Sequence, residues 1–485
     1  MSKVYPTLTA LFTDIADAIR ETTGDTDLIV ADDFPDLIRD SLQVKSYLTF
    51  KSPNSFTLAV KDSGKHWDGT LEYSNDVSTW STWDGTTVLS SAIKGSSNVL
   101  YLRGTGNTVI TGNNLNYRWV LTGSYIKCIG NIENLLDYAT VQSGNHPTMA
   151  NYCYYNMFQG CTALTRAPAL PATTLTKDCY YYMFSGCTSL TQAPALPATT
   201  LAQSCYRHMF SGCTALTQAP ALPATTLADD CYSDMFQGCT ALTQAPALPA
   251  TTLATYCYYN MFWGCTALTQ APALPATTLA NYCYSDMFRG CTALTQAPAL
   301  PATTLATYCY SDMFDGCTSL TQAPALPATT LADKCYQNMF HGCTSLTQAP
   351  ALPATTLANH CYRSMFNRCT SLTKAPNVLP ATTLAESCYM YMFEFTAITA
   401  IPRIMATTYA TDSCKGMFDD IKTLNVYSSS GEGHTYGWTA PASTYCSGMF
   451  GSDDGESEWA KLDGSNFPNS GTPTEGVTYY FATVD

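Results

Sequence analysis

Residues 231–256 read CYSDMFQGCTALTQAPALPATTLATY, and residues 257–282 read CYYNMFWGCTALTQAPALPATTLANY. The same 26-residue unit recurs with paired cysteines at 153/161, 179/187, 205/213, 231/239, 257/265, 283/291, 309/317, 335/343 and 361/369. A tenth copy starts at Cys388, gains one residue on entry at Asn377-Val378 and loses its second Cys. Degenerate copies follow at Cys414 and Cys446. A fixed period of this length is the mark of stacked repeats, because one unit cannot bury its apolar face alone. Eighteen of the 22 cysteines are therefore positions in a repeat.

Two segments are legible within a unit. At about 100° per residue from the first Cys, the Cys, Met, second Cys, Tyr and Phe fall at about 0°, 40°, 80°, 100° and 140°, one apolar arc. That arc predicts a short helix over CYxxMFxGC, closed by the Gly before the second Cys. The segment LTQAPALPATTL predicts a narrow parallel sheet with a strand of three or four residues around APAL, limited by two prolines that remove ladder donors.

The unit CYxxMFxGCTSLTQAPALPATTLA resembles the BspA-like leucine-rich repeat, whose units pair a short strand with a helix ending in Phe-x-Gly-Cys. The resemblance covers residues 153 to about 413. It implies a solenoid and, from the family's bacterial surface members, an adhesin role.

The flanks read differently. Leu8, Leu11, Ile15 and Ile19 recur at helical steps, Pro6 precedes them and Gly24 follows, so residues 1–45 predict a helical module. Thr23-Gly24, Asp27 and Asp33-Phe34-Pro35 resemble a short N-terminal module of bacteriophage structural and tail proteins. Residues 46–140 alternate apolar and polar residues between Gly, Asn and Asp turns, which predicts an all-β sandwich. The stretches WDGTLEYSNDVSTWSTWDGT and LYLRGTGNTVITG resemble a β-domain that precedes such repeats in gut bacteria and their phages. NIENLLDYATV is expected to cap the first coil, residues 141–424 to form the solenoid, and the Gly-, Ser- and Asp-rich residues 425–485 to cap its other end.

Composition excludes several functions. Charged residues make up 12% of the 485-residue chain, and the formal net charge is −14, so the basic footprint of a nucleic-acid binder is missing. No window approaches eighteen apolar residues, and the opening MSKVYPTLTALFTDIADAIR has no secretory h-region, so neither a membrane span nor export is expected. The cysteines are expected to pack as two internal ladders of reduced thiols; disulfides and zinc are the alternatives, without CxxC or regular His to favour a metal. The six histidines follow no catalytic motif, and no nucleophile elbow or phosphate loop is present. No enzyme activity, metal or cofactor is expected.

The variable positions carry the functional expectation. Across ten copies, the second, third and sixth residues after the first Cys change almost every time, as do the two before it. On a helical wheel they face solvent. Among the 30 post-Cys positions there is no Lys, no Ala and one Glu, but five Tyr, one Trp, six Ser, four Asn, four Asp, three Arg and two His. Drift on an exposed helix would favour Lys, Glu and Ala; this palette is that of a binding surface. The candidate ligand-binding residues are Tyr155, Asn156, Tyr181, Tyr182, Arg207, His208, Asp234, Tyr259, Asn260, Trp263, Asp286, Arg289, Asp312, Asp315, Asn338, His341 and Arg363. Trp67, Trp80 and Trp83 are candidate sugar contacts, although tryptophans in a small sandwich more often belong to the core.

Three functions fit. One is a phage virion protein, attached to other virion proteins through residues 1–45, assembled in the host cytoplasm and displaying the repeats to a host surface polysaccharide or protein. The second is a bacterial cell-surface adhesin, and the third a passive capsid or tail spacer. A homotrimer is an expected assembly for a fibre.

Overall fold

The segment that starts each repeat is not a helix. In the computed structural model, which describes residues 47–114, 116–451, 460–467 and 470–482, CYxxMFxGC is a run of linked turns. The copy at Cys257 shows the rule. The N–H groups of Tyr256, Tyr258, Asn260, Phe262 and Gly264 donate to carbonyls of the next copy, those of Asn281, Cys283, Ser285, Met287 and Arg289, at 2.8–3.1 Å. The alternate N–H groups of Tyr259, Met261, Trp263 and Cys265 donate three residues back within their own copy, at 3.0–3.2 Å. Every second donor thus leaves for the neighbouring coil, whereas a helix keeps its donors four residues back.

Such a path needs a left-handed residue every fourth position. Tyr256, Asn260 and Gly264 have φ of 55°, 53° and 72°, and their counterparts recur along the repeats. The buried positions therefore repeat every four residues: Cys257, Tyr258, Met261, Phe262 and Cys265 are all 0–1% exposed. Over nine residues a period of four drifts only about 80° from the helical 3.6, so the helical wheel placed the apolar residues correctly on the wrong backbone.

The second segment also differs from expectation. Parallel bridges join the Gln column (Gln218, Gln244, Gln270) and the second-Thr column (Thr252 with Thr278, Thr304 with Thr330), not the APAL stretch between them. Proline has no N–H to give there, so in these copies the ladder survives on either side of the prolines; where the extra residue enters at Asn377-Val378, Val378–Leu379 pairs in parallel with Arg403–Ile404.

The chain divides into two compact units, Met1–Thr200 with Ala219–Pro223, and Leu201–Gln218 with Ala224–Asp485. Among the described residues of the first, nine strands precede the repeats: β1 (Leu48–Ser52), β2 (Thr57–Val60), β3 (Thr70–Ser74), β4 (Ser81–Trp83), β5 (Leu89–Ser90), β6 (Ala92–Lys94), β7 (Ser97–Thr105), β8 (Trp119–Thr122) and β9 (Ile126–Ile129). They form two sheets, β9-β1-β7-β3-β4 with β6 on β7, and β5-β2-β8. Rings join the sheets: Trp119 of β8 lies 6.3 Å from Phe50 of β1 and 5.5 Å from Trp83 of β4. A 3₁₀ turn at Ile132–Leu135 and α1 (Tyr138–Gln142) follow, and β10 (Leu164–Arg166) of the first coil adds to β9 in parallel.

The β-strands themselves cover the first coil. Phe158 meets Phe50 and Trp119 edge-on, the Trp119 N–H donates to the Met157 carbonyl at 2.8 Å, and the Tyr154 hydroxyl reaches the Ile132 carbonyl at 3.3 Å. The predicted contribution of NIENLL to this end is thus one part of a larger cover. The helical module expected at 1–45 lies outside the described residues.

In the second unit, identical side chains stack in columns. Phe210, Phe236, Phe262, Phe288, Phe314, Phe340, Phe366, Phe393 and Phe418 stand 5.6–5.7 Å apart with rings within 9° of parallel. The Tyr column from Tyr206 to Tyr389 runs beside it. At the C-terminal end Phe450 is enclosed by Trp438, Phe467 and Phe481.

None of the 22 cysteines is in a disulfide, and all are buried. The second Cys of a unit donates its S–H to the Phe carbonyl of the coil before, as Cys265 does to Phe236 at 3.1 Å. Burial pushes the Cys265, Cys283 and Cys335 thiols up to about 12. The reactive thiolate is then about one part in ten thousand at pH 8, before any barrier to reagent entry. Folded protein treated with iodoacetamide at pH 8 is expected to take up almost no label, and urea-unfolded protein without reductant to label all 22 sites. Mass spectrometry checks both; a shortfall after unfolding would reveal disulfides.

Candidate functional site

The turn ladder reassigns the variable positions. The third residue after each first Cys is a left-handed one: Asn156, Tyr182, His208, Asp234, Asn260, Asp286, Asp312, Asn338, Ser364 and Tyr391 have φ of 51–57°. Three Asn, three Asp and one His fill seven of these ten places, and those are the residue types that tolerate this conformation best. The Asn, Asp and His in this column answer the backbone and are no mark of a ligand.

Many of these side chains also face inward. Asn156, Asp234, Asn260 and Asp286 are 0%, 3%, 8% and 9% exposed, which corrects their expected place on the solvent face. They bond to their neighbours along the stack. Asp234 accepts from Ser233 Oγ at 2.8 Å and Asn260 Nδ2 at 2.9 Å, and the ring of His208 lies 3.4 Å from it. Asn338 Nδ2 donates to Asp312 at 3.0 Å, and Arg207 pairs with Asp230 at 3.0 Å. Burial, reinforced by Asp312, raises the Asp286 carboxyl to about 6, and burial lowers the His208 imidazole.

The sixth position continues the pattern. Arg289 bridges Asp286 at 3.1 Å and Asp315 at 3.0 Å, and His341 Nδ1 meets Asp315 at 2.7 Å. Variation in one copy is thus matched by its neighbour. Tyr155 and Tyr181 stack at 4.9 Å, and Tyr181 meets Tyr182 edge-on. Arg363 is half-buried.

An aromatic and basic cluster lies outward on the copies at Cys257, Cys283 and Cys309, where Trp263 and Arg289 are exposed; Tyr155, Tyr181 and Tyr182 on the first two copies are half-buried to the same degree as Tyr256 and Tyr259. Trp263 is 40% exposed, with the Arg289 guanidinium 5.8 Å from its ring centre. Tyr259, half-buried, stands edge-on to Tyr256 at 5.5 Å. Tyr256, Tyr282 and Tyr308 stack at 4.5 Å intervals, and Lys334 Nζ lies 4.8 Å over the Tyr308 ring. This Tyr column, the residue just before each first Cys, was noted as variable in sequence but its alignment into one stack was not legible there. The stack consumes its own ring faces, and the Tyr308 hydroxyl already accepts from Lys334 Nζ, so ring edges are what it leaves toward solvent.

Positions that hardly vary are exposed as well. Gln244, Ala247, Pro249, Thr251 and Thr252 are all exposed in the copy at Cys231. Of the tryptophans proposed for sugar, Trp67 and Trp83 are 3% and 1% exposed and pack on each other at 5.1 Å, which corrects that placement to the core. Trp80 is half-buried, with the Arg103 guanidinium 4.1 Å over its ring and Tyr47 at 4.6 Å.

Among the described residues no helix is long and apolar enough to cross a membrane. Comparison with curated proteins and with solved structures gives no significant match. The family model for the BspA type leucine rich repeat region (6 copies) matches residues 134–287, 205–339 and 262–396, which together span more than half of the chain. The stacked 26-residue copies and this match agree, and the chain belongs to the BspA type leucine-rich-repeat family.

Proposed function

We propose that the chain is a non-enzymatic binding protein, a leucine-rich-repeat solenoid that attaches to a surface polysaccharide or protein of a bacterial cell. The supporting observation is the outward cluster of Tyr256, Tyr259, Trp263, Tyr282, Arg289 and Tyr308, which gathers rigid aromatics and a guanidinium on three adjacent copies.

Two settings suit this role. Attachment to a virion, through residues 1–45 and other virion proteins, rests on the resemblance of that segment to phage modules. Display on a bacterial surface rests on the repeat family and fits no worse. Localisation of the chain on purified virions or on uninfected cells separates them.

The binding role has its own test. Tyr259→Ser, Trp263→Ser and Arg289→Ser together are expected to weaken adsorption of the purified chain to target cells by at least about tenfold, a loss of about 1.4 kcal/mol. Tyr259→Ser with Trp263→Ser alone should weaken adsorption in the same direction and leave the unfolding midpoint near that of the parent, whereas Arg289→Ser also removes the partner of the buried Asp286 and is expected to lower it. Unchanged adsorption would leave the repeats as a passive spacer.

A further inference from the structure

The apolar core cannot tell one copy from another. The five copies from Cys231 to Cys335 share their Cys, Tyr, Met, Phe and Leu columns and the whole of LTQAPALPATTLA. Their Phe rings stand 5.7 Å apart at every junction. By apolar contact alone any of these coils could stack on any other, so a folding chain could skip a copy or exchange copies with a second chain. Repeat proteins misassemble in these ways, because each unit meets only its neighbours.

The variable residues break this equivalence. At the third residue after the first Cys, the five copies carry Asp234, Asn260, Asp286, Asp312 and Asn338 in turn. Asn260 Nδ2 donates to Asp234 at 2.9 Å, and Asn338 Nδ2 to Asp312 at 3.0 Å. Where two carboxylates fall in successive copies, at Asp286 and Asp312, Arg289 bonds Asp286 at 3.1 Å and reaches Asp315 of the next copy at 3.0 Å. Asp234, Asn260 and Asp286 are 3%, 8% and 9% exposed, so water relieves little of an unmatched charge there. Single buried polar residues fix register in helical assemblies at some cost in stability, and a column of them can do so here.

We propose that these side chains are an ordering key: the native succession of coils is the one in which each buried carboxylate of the column has an amide or a guanidinium beside it. Chemical variety at these positions then serves the neighbouring coil. Two deletions of equal length separate this role from packing. Removing residues 283–308 brings Asn260 onto Asp312, so that carboxylate and amide alternate from Asp234 to Asn338. Removing residues 257–282 sets Asp286 between Asp234 and Asp312, three carboxylates in succession. The apolar columns are the same in both.

In the otherwise full chain, deletion of 283–308 is expected to leave a monomer that unfolds in urea near the parent midpoint. Deletion of 257–282 is expected to lower the midpoint at least twice as far, or to prevent folding, and to raise the share of dimers that size-exclusion chromatography detects after refolding. Asp234→Asn adds a change of sign. In the parent it weakens the buried acceptor of Ser233 and Asn260 and should lower the midpoint; in the 257–282 deletion it turns a facing carboxylate into an amide and should raise the midpoint or restore folding. Asn also tolerates the φ of 56° at this position. Equal midpoints for the two deletions, the reverse order, or an Asp234→Asn effect of one sign in both backgrounds overturns the proposal. So does failure of both deletions to fold, since coils that cannot replace one another need no key.

Discussion

Phe288→Ala is expected to destabilise the second unit by about 3–5 kcal/mol. The ring is 0% exposed and stacks on Phe262 and Phe314, each at 5.7 Å and within 7° of parallel. Truncation removes the transfer free energy of a buried aromatic ring, opens a cavity, and breaks two ring pairs that each contribute about 0.5–1.5 kcal/mol. Neighbouring coils also limit how far the gap can close, because their N–H donors are committed to fixed partners: the Phe288 N–H donates to the Met313 carbonyl at 3.0 Å, and the Phe262 N–H to Met287 at 3.0 Å. Repeats that touch only their neighbours lose cooperativity at a weakened junction. Urea unfolding followed by circular dichroism should therefore shift to lower denaturant and broaden or split, while Phe288→Leu costs much less. A loss below about 1 kcal/mol would mean that the aromatic column is not the core of this region.

Gly104→Ala is expected to be as damaging in the first unit, although it adds one methyl group. Gly104 lies in β7, and a Cβ there would sit 1.7 Å from the Leu135 carbonyl oxygen and 2.8 Å from Asn107 Nδ2. Those two atoms are themselves bonded. Asn107, 3% exposed, donates to the Leu135 carbonyl at 2.9 Å and the Thr70 carbonyl at 2.8 Å, and accepts from the Gly69 N–H at 2.5 Å. The methyl group must push the Ile132–Leu135 turn off the sheet or displace Asn107, leaving buried polar groups unpaired. Overpacking at about 1–3 kcal/mol and each orphaned group at about 1–3 kcal/mol give a loss of about 3–5 kcal/mol. Gly95→Ala is the comparison, since nothing lies within 4 Å of its Cβ and only its φ of 63° is unfavourable. A thermal midpoint for Gly104→Ala equal to that of Gly95→Ala would refute the close approach.

The candidate site was legible only in part. Tyr259, Trp263 and Arg289 stand out in sequence because they break the repeat with large side chains at positions expected to be exposed, and the structure leaves them at least partly exposed. Asp234, Asn260 and Asp286 stood out equally and are buried, since their residue type answers a left-handed backbone rather than a ligand. The Tyr256, Tyr282 and Tyr308 stack needed the coil spacing to become visible: nothing in a linear chain says that residues 26 apart share a ring face.

The sequence by itself determined the period, the buried Cys, Tyr, Met and Phe columns and the start of the β-strands, because a pattern copied ten times constrains its own packing. It could not choose between a helix and a ladder of turns. Both put Cys, Tyr, Met and Phe on one side over nine residues, and the difference lies in where alternate N–H groups go. Only an adjacent coil, offering carbonyls to every second donor, makes the turn ladder the lower-energy path. The same neighbours decided which variable side chains face a partner coil and which face outward.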